Sequence, residues 1–247
     1  MALVTGASSG IGRGLAIRLA QDGYAVGLLA RRARHLREVA AEIEGCGGSA
    51  SVHRCDVAER EKVLDAVQDC EAELGPVDLL VANAGMGSHM PVEELNGDEI
   101  ELVMRVNFLG AVHTVDALLP TMLSRGSGHL VAVASLAGYC GLPRRSAYCA
   151  SKAAMIGFFE SLRLDLRPSG IAVTIVSPGF IRTEMTGGEG SVRPFMVELE
   201  PAVDRIAGAI RARRRSLAFP WQMALPATLA RSLPPALFDF VARRIRH

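Results

Sequence analysis

The stretch Tyr148-Cys149-Ala150-Ser151-Lys152 sets a phenol and an ammonium four residues apart. On a helix that spacing puts both groups on one face. A neighbouring cation favours phenolate and lowers a tyrosine pKa, and a phenol brought down from about 10 is a usable general acid or base. The chain holds two lysines, Lys62 and Lys152, and three tyrosines, so chance rarely produces the pair, although a plain surface helix could carry it. Its meaning depends on what the rest of the chain brings alongside.

A second constellation opens the sequence. Ala2-Leu3-Val4-Thr5 is a short apolar run, followed by Gly6-Ala7-Ser8-Ser9-Gly10-Ile11-Gly12 and by Leu15, Ile17 and Leu19 at partly helical spacing. Strand, glycine turn, helix is the arrangement that receives a pyrophosphate: the glycines allow close backbone approach, and the helix N-terminus offers free N–H groups and a positive dipole end. The spacing is Gly-x-x-x-Gly-x-Gly rather than the commoner Gly-x-Gly-x-x-Gly, and a purely structural turn remains the alternative. The next apolar run, residues 25–30, ends in Arg31-Arg32. In a dinucleotide fold the end of this strand faces the adenosine ribose. An acid there would hold the 2′-hydroxyl of NAD, whereas arginine accommodates the 2′-phosphate of NADP. NADP is therefore the expected cofactor and NAD the lesser one, unless both arginines only open the next helix in solvent.

These residues need elements to position them, and the chain alternates strand and helix throughout. Helix is expected to about Glu44, then a strand over 50–54 closed by Cys55-Asp56-Val57, where Asp56 could accept from an adenine amino group or cap the following helix. Helix over 61–74 ends at Gly75-Pro76. A strand over 77–81 runs into Asn83-Ala84-Gly85. A long helical pattern over 97–124 carries Asn107 in its middle, where a buried asparagine needs partners. A strand over 129–134 ends at Ser135, the Tyr148–Lys152 helix runs to Arg167, and a strand over 171–176 closes at Ser177-Pro178-Gly179. Uninterrupted apolar strands are those covered on both faces. The expected architecture is α/β: a single domain with a Rossmann-type doubly wound parallel sheet and helices on both faces.

Composition narrows the function classes. With 247 residues, 49% of them hydrophobic, the chain can bury one sizeable core. A net charge of +1 gives no reason to expect nucleic acid. Five cysteines, an odd number without a Cys-x-x-Cys pair, and six histidines without a ligand cluster point to free thiols and no metal site. His89 reads as a loop histidine. No basic region or longer apolar core precedes the first glycines, and no run reaches 18 apolar residues, so a soluble cytoplasmic protein is expected.

Taken together, Thr5-Gly6-Ala7-Ser8-Ser9-Gly10-Ile11-Gly12, Asn83-Ala84-Gly85, Asn107, Ser135, Tyr148-x-x-x-Lys152 and Pro178-Gly179 resemble the short-chain dehydrogenase/reductase family in order and spacing, over roughly residues 2–183. Ala82 departs from the pattern, since many members carry a second asparagine there, at a position that is structural in the family. The resemblance implies that a ketone and NADPH exchange a hydride and a proton for an alcohol. Ser135 would hydrogen-bond the substrate oxygen, and Tyr148 would give or take the proton. Lys152 would lower the Tyr148 pKa and bind the nicotinamide ribose, and Asn107 would hold a water linking Lys152 to solvent. Ile181 and Thr183 would contact the nicotinamide or the diphosphate. Family members are usually dimers or tetramers, so a homodimer or homotetramer is implied. A catalytically silent dinucleotide-binding sensor or scaffold is the alternative.

Substrate choice falls to the end of the chain. Residues 184–200 read as a flap, with Val192, Phe195 and Met196. With Leu136, Cys140 and Leu142, these suggest an apolar or amphipathic carbonyl substrate. Residues 201–215 read as a helix and 216–220 as a last strand, opening a C-terminal extension over 216–247. Residues 216–230 carry no charge, with Pro220 and Pro226 interrupting them. Leu237, Phe238, Phe240, Val241 and Ile245 alternate with Arg243, Arg244 and Arg246 in a final amphipathic helix. That tail could pack on the substrate pocket or a neighbouring subunit, or rest on anionic lipid.

Overall fold

Seven segments, most of them apolar runs, become strands in the computed structural model, which describes residues 1–187, 193–230 and 233–242. They are β1 (Ala2–Thr5), β2 (Val26–Ala30), β3 (Ala50–Arg54), β4 (Leu79–Ala82), β5 (Gly128–Val133), β6 (Ile171–Pro178) and β7 (Ser216–Phe219). All pair in parallel, in the order β3-β2-β1-β4-β5-β6-β7. Every residue of β1, β2, β4 and β5 is buried, whereas the edge strands β3 and β7 keep exposed positions. This accounts for the unbroken apolar runs, because an interior parallel strand is covered on both faces.

Successive strand residues point to opposite faces, so each strand feeds two cores. Leu3, Leu29, Leu80 and Leu130 pack with α3 (Arg60–Leu74), α5 (Gly110–Arg125) and α6 (Ser146–Asp165). Val4, Leu28, Val81 and Val131 pack with α1 (Gly10–Gln21), α2 (Ala33–Gly45) and α7 (Leu199–Arg211). The chain leaves β1 outward through β2 to β3, then returns to lay β4 on the other side of β1. Strand order reverses there, and ligands of such sheets bind in the crevice beyond the carboxyl ends of the strands.

Several boundaries differ from expectation. Residues 97–125 form a single run: α4 (Gly97–Met104), a π turn over Arg105–Leu109, and α5. At 29 residues it is long and apolar enough to cross a bilayer, but Val106, Ala111, Val115, Leu118 and Met122 are buried in the core. Strand β6 runs on to Pro178, and α7 spans Leu199–Arg211 rather than 201–215. An unexpected helix, α8 (Trp221–Ala230), contains Pro226. Pro220 reads as a break in sequence, yet its carbonyl accepts from Met223 and Ala224, so it begins the helix where its missing N–H costs nothing. The final helix is α9 (Pro235–Ala242). Val192, Arg243, Arg244, Ile245 and Arg246 lie outside the described residues.

A buried histidine links β5 to β6. His129 Nε2 lies 2.8 Å from Thr174 Oγ1, which donates to the Arg214 carbonyl at 2.6 Å. Thr174 must then accept from Nε2–H, which fixes the neutral tautomer. Burial, with the Arg213 cation adding, pushes the His129 pKa down to about 4. A histidine lowered on folding binds fewer protons folded than unfolded between about 4 and its ordinary 6.5, so stability is full above that window and lost as pH falls through it. The loss amounts to roughly 3 kcal/mol. Denaturant midpoints at pH 7 and pH 4.5 check this: wild type should lose far more than His129→Gln, and equal losses would refute it.

Candidate active site

The crevice between β1 and β4 is braced by one hydroxyl. Thr5 Oγ1 accepts from the main-chain N–H groups of Asn83 and Ala84, both at 3.0 Å, tying the turn after β1 to the turn after β4. Asn83 Nδ2 donates back to the Thr5 carbonyl at 3.0 Å. The Asn83 amide is therefore spent on holding the glycine turn, although Asn83, Ala84 and Gly85 all line the cleft as expected. Gly6 has φ +67°, a conformation that strains any L side chain. Gly12 faces away from the cleft: a Cβ there would run into the Gly6 carbonyl and Asn83 Nδ2. Its missing side chain lets α1 close on the turn.

That turn, Gly6, Ser8, Ser9, Gly10 and Ile11, forms one wall of a cleft of about 340 Å³. Helix α1 starts at Gly10 without a side-chain cap, so its first N–H groups face the cleft. Across from it stand Ala30, Arg31, Arg32, Cys55, Asp56, Val57, Val106, Thr183, Glu184 and Met185. The two arginines divide their work. Arg32 donates to Ser8 Oγ at 3.3 Å and Ser9 Oγ at 2.6 Å, and pairs with Glu184 at 3.3 Å. Arg31 is exposed and lies 3.9 Å from Asp56. Beside it, Arg31, Arg54 and Lys62 edge a second hollow with Asp56 and Glu59. Sequence reading misses Arg54 and Lys62; the signal that could find Arg54 is its place at the end of β3, at the same sheet edge as Arg31. Asp56 accepts from Ala58 N at 3.1 Å, in a turn ahead of α3, whose N-cap is Glu59. Asp56 therefore sits three residues ahead of the N-cap position, and Glu59 there makes no side-chain cap.

The resemblance places Ile181 beside Thr183 on the cofactor, and the two sit in different surroundings. Thr183 lines the cleft, whereas Ile181 is buried in the core and bridges to Val197. Pro178 and Gly179 stand by Ser135: the Pro178 carbonyl accepts from Ser135 Oγ at 3.4 Å, and Gly179 N donates to Phe219 O at 2.7 Å.

Ser135, at the end of β5, also accepts from Ala137 N at 3.1 Å. Lys152 is buried on α6; its Nζ donates to the Val133 carbonyl at 3.0 Å and lies 5.9 Å from the Tyr148 ring centre. Asn107, fully buried in the π turn, accepts from Met86 N at 2.7 Å and donates to Met86 O and Ser151 Oγ, both at 3.0 Å. Gly85 makes room between them: a Cβ there would lie 3.3 Å from Asn107 Oδ1 and 3.5 Å from Lys152 Nζ. Four separate chain segments thus meet at the carboxyl ends of β4 and β5.

The electrostatics reverse one expectation. The sequence spacing has Lys152 lower the Tyr148 pKa, but burial raises it above the usual phenol value, with the Ser135 hydroxyl opposing only in part. The ammonium bonds to Val133, beyond hydrogen-bonding reach of the ring, and burial in turn lowers Lys152 to about 8. Near neutral pH the pair is therefore a protonated phenol beside a lysine that is still mainly cationic, which is an arrangement set to give a proton.

The cleft fits a nicotinamide dinucleotide: a glycine turn at positive φ, an uncapped helix start, hydroxyls and cations for phosphates, and the Ser–Tyr–Lys group beyond. Comparison with known proteins agrees. Residues 1–193 match the family described as short chain dehydrogenase. An uncharacterized oxidoreductase of Myxococcus xanthus is 42% identical over 99% of this chain and 97% of its own. Estradiol 17-beta-dehydrogenase 11 of Pongo abelii is 32% identical over 98% and 82%. A short chain dehydrogenase/reductase from Burkholderia phymatum in complex with NAD superposes with a TM-score of 0.87 at 25% identity, covering 94% of this chain and 92% of that one. A metagenomic short-chain oxidoreductase in complex with NADP gives 0.76 at 31% identity, covering 88% and 95%. On its sequence, its sheet and this site, the chain belongs to the short-chain dehydrogenase family.

Proposed function

We propose that the protein reduces an apolar or amphipathic carbonyl compound to an alcohol, with NADPH as the preferred cofactor and Tyr148 as the proton donor. The observation that carries this reading is the meeting of Ser135, Tyr148 and Lys152 next to Gly85, where the glycine-turn cleft ends. A bound nicotinamide would supply the hydride. Ser135 Oγ and the Tyr148 hydroxyl hold the carbonyl oxygen between them. As the carbon–oxygen double bond opens, the oxygen takes the Tyr148 proton. Lys152 spends one N–H on Val133 O; its remaining donors are available to ribose hydroxyls, and its charge acts on the developing phenolate through space. The Asn107 amide is engaged by Met86 and Ser151. A relay water would therefore need a support other than that amide.

Cofactor preference rests on charge. No carboxylate follows Ala30, and Arg31 and Arg32 line the cleft where the adenosine ribose would lie. The apolar character of the substrate is supported by Leu136, Met185 and the exposed Phe195, and by the likeness to the Pongo abelii protein, which is named as an estradiol dehydrogenase.

Two experiments test this. Titration with NADPH and NADH should favour NADPH at least tenfold. Replacing Arg31 or Arg32 by alanine should each cost about 1.5–3 kcal/mol of NADPH binding, the usual worth of a hydrogen bond to a charged group, and leave NADH binding little changed; equal affinities in wild type would sink the NADP reading. In a carbonyl screen, Tyr148→Phe should cut turnover about 10²–10⁴-fold with cofactor affinity held. If the variant keeps its biological role, the silent sensor or scaffold takes the place of the enzyme.

A further inference from the structure

We propose that the outer face of α8 docks on an anionic lipid bilayer. Trp221, Leu225 and Leu229 recur every four residues, which aligns them along one side of the helix. They are 70%, 54% and 58% exposed. None of the ten residues of α8 is charged. The opposite face is committed to the protein: Ala224 is buried, and the Met223 sulfur comes within 3.0 Å of where a Cβ on Gly179 would stand, next to Ser135. The helix is thus fixed from within, with an uncharged apolar stripe turned outward, as in helices that lie in a membrane interface.

Charge identifies the occupant. Arg205 is exposed, stacks 5.8 Å from the centre of the Phe219 ring just ahead of α8, and has no ion pair among the described residues. From Trp221 onward the sequence carries Arg231, Arg243, Arg244 and Arg246 against Asp239 alone. The intervening α9 exposes Leu237. An aromatic anchor two residues from the Phe219 ring on which Arg205 stacks, followed by an arginine-rich sequence, suits anionic headgroups over an acyl layer. A second copy of the chain fits less well: one aromatic and three leucines offer on the order of 400 Å², about half the ~800 Å² that each partner buries in a standard interface. Two such surfaces would also bring like charges together. Seated this way, α8 would bring an apolar substrate from the bilayer to the Ser135 end of the cleft. Docking itself stands apart from turnover.

Trp221 is the single tryptophan, so the emission of the full chain reports on the stripe without a label. With vesicles of mixed phosphatidylglycerol and phosphatidylcholine at low salt, the emission should shift to the blue and the protein should co-sediment. Added salt should weaken both, and pure phosphatidylcholine should bind about tenfold less. The double variant Leu225→Gln/Leu229→Gln should lose about tenfold in partitioning while its circular dichroism and melting stay as in wild type. Three results overturn the proposal: no shift and no co-sedimentation at low salt; partitioning untouched by the double variant; or an emission already blue without lipid that moves red on dilution, the mark of a second copy on the stripe.

Discussion

The Thr5 hydroxyl bears most on where the site can be. A doubly wound sheet offers a crevice only where strand order reverses, and here that point is defined by two turns that leave neighbouring strands in opposite directions. Nothing in the sheet ladder itself stops those turns from drifting apart, since pairing of β1 with β4 ends at Val4 and Val81. Thr5 takes over from the ladder, accepting from two successive N–H groups, and the Asn83 amide returns a bond to the Thr5 carbonyl. The close contact of Gly12 with Gly6 and Asn83 then locks α1 onto the same knot. The cofactor cleft and Gly85, which Asn107 and Lys152 both approach, take their position from it.

Burial decides what the catalytic groups can do. Sequence spacing makes Tyr148 and Lys152 neighbours and suggests that the cation acidifies the phenol. In three dimensions both are held in a low-dielectric surround that disfavours either charge, so the phenol moves up and the ammonium down. The two shifts work together: both favour the uncharged forms and leave the phenol as the holder of the proton.

Much of this was legible in the sequence, and for identifiable reasons. Interior parallel strands read as unbroken apolar runs because nothing polar can face water there, so β1, β2, β4 and β5 declare themselves. Ser135 and Gly85 follow because site residues in this architecture come directly after strands. What stayed hidden depends on direction rather than on type. Asn83 could point to a ligand or to its own turn, and it does the latter with its amide. Ile181 is two residues from Thr183 but turns into the core. Arg32 reaches Ser8 and Ser9, residues 24 and 23 positions away, a partnership no local pattern encodes. Helix α8 was obscured by its two prolines, one of which begins it.

The central position of β1 has a consequence for how the chain reaches this fold. Its four residues come at the very start of the sequence, yet their β4 partners come much later; Met1 and Asp78, paired at the base of the two strands, are 77 residues apart. Loop closure over such a span is slow compared with helix formation. Until β4 is made, one edge of a largely apolar strand stays open in the nascent chain, a template for mispairing with other molecules. The strand that organises the finished sheet is also the one exposed longest while the sheet assembles.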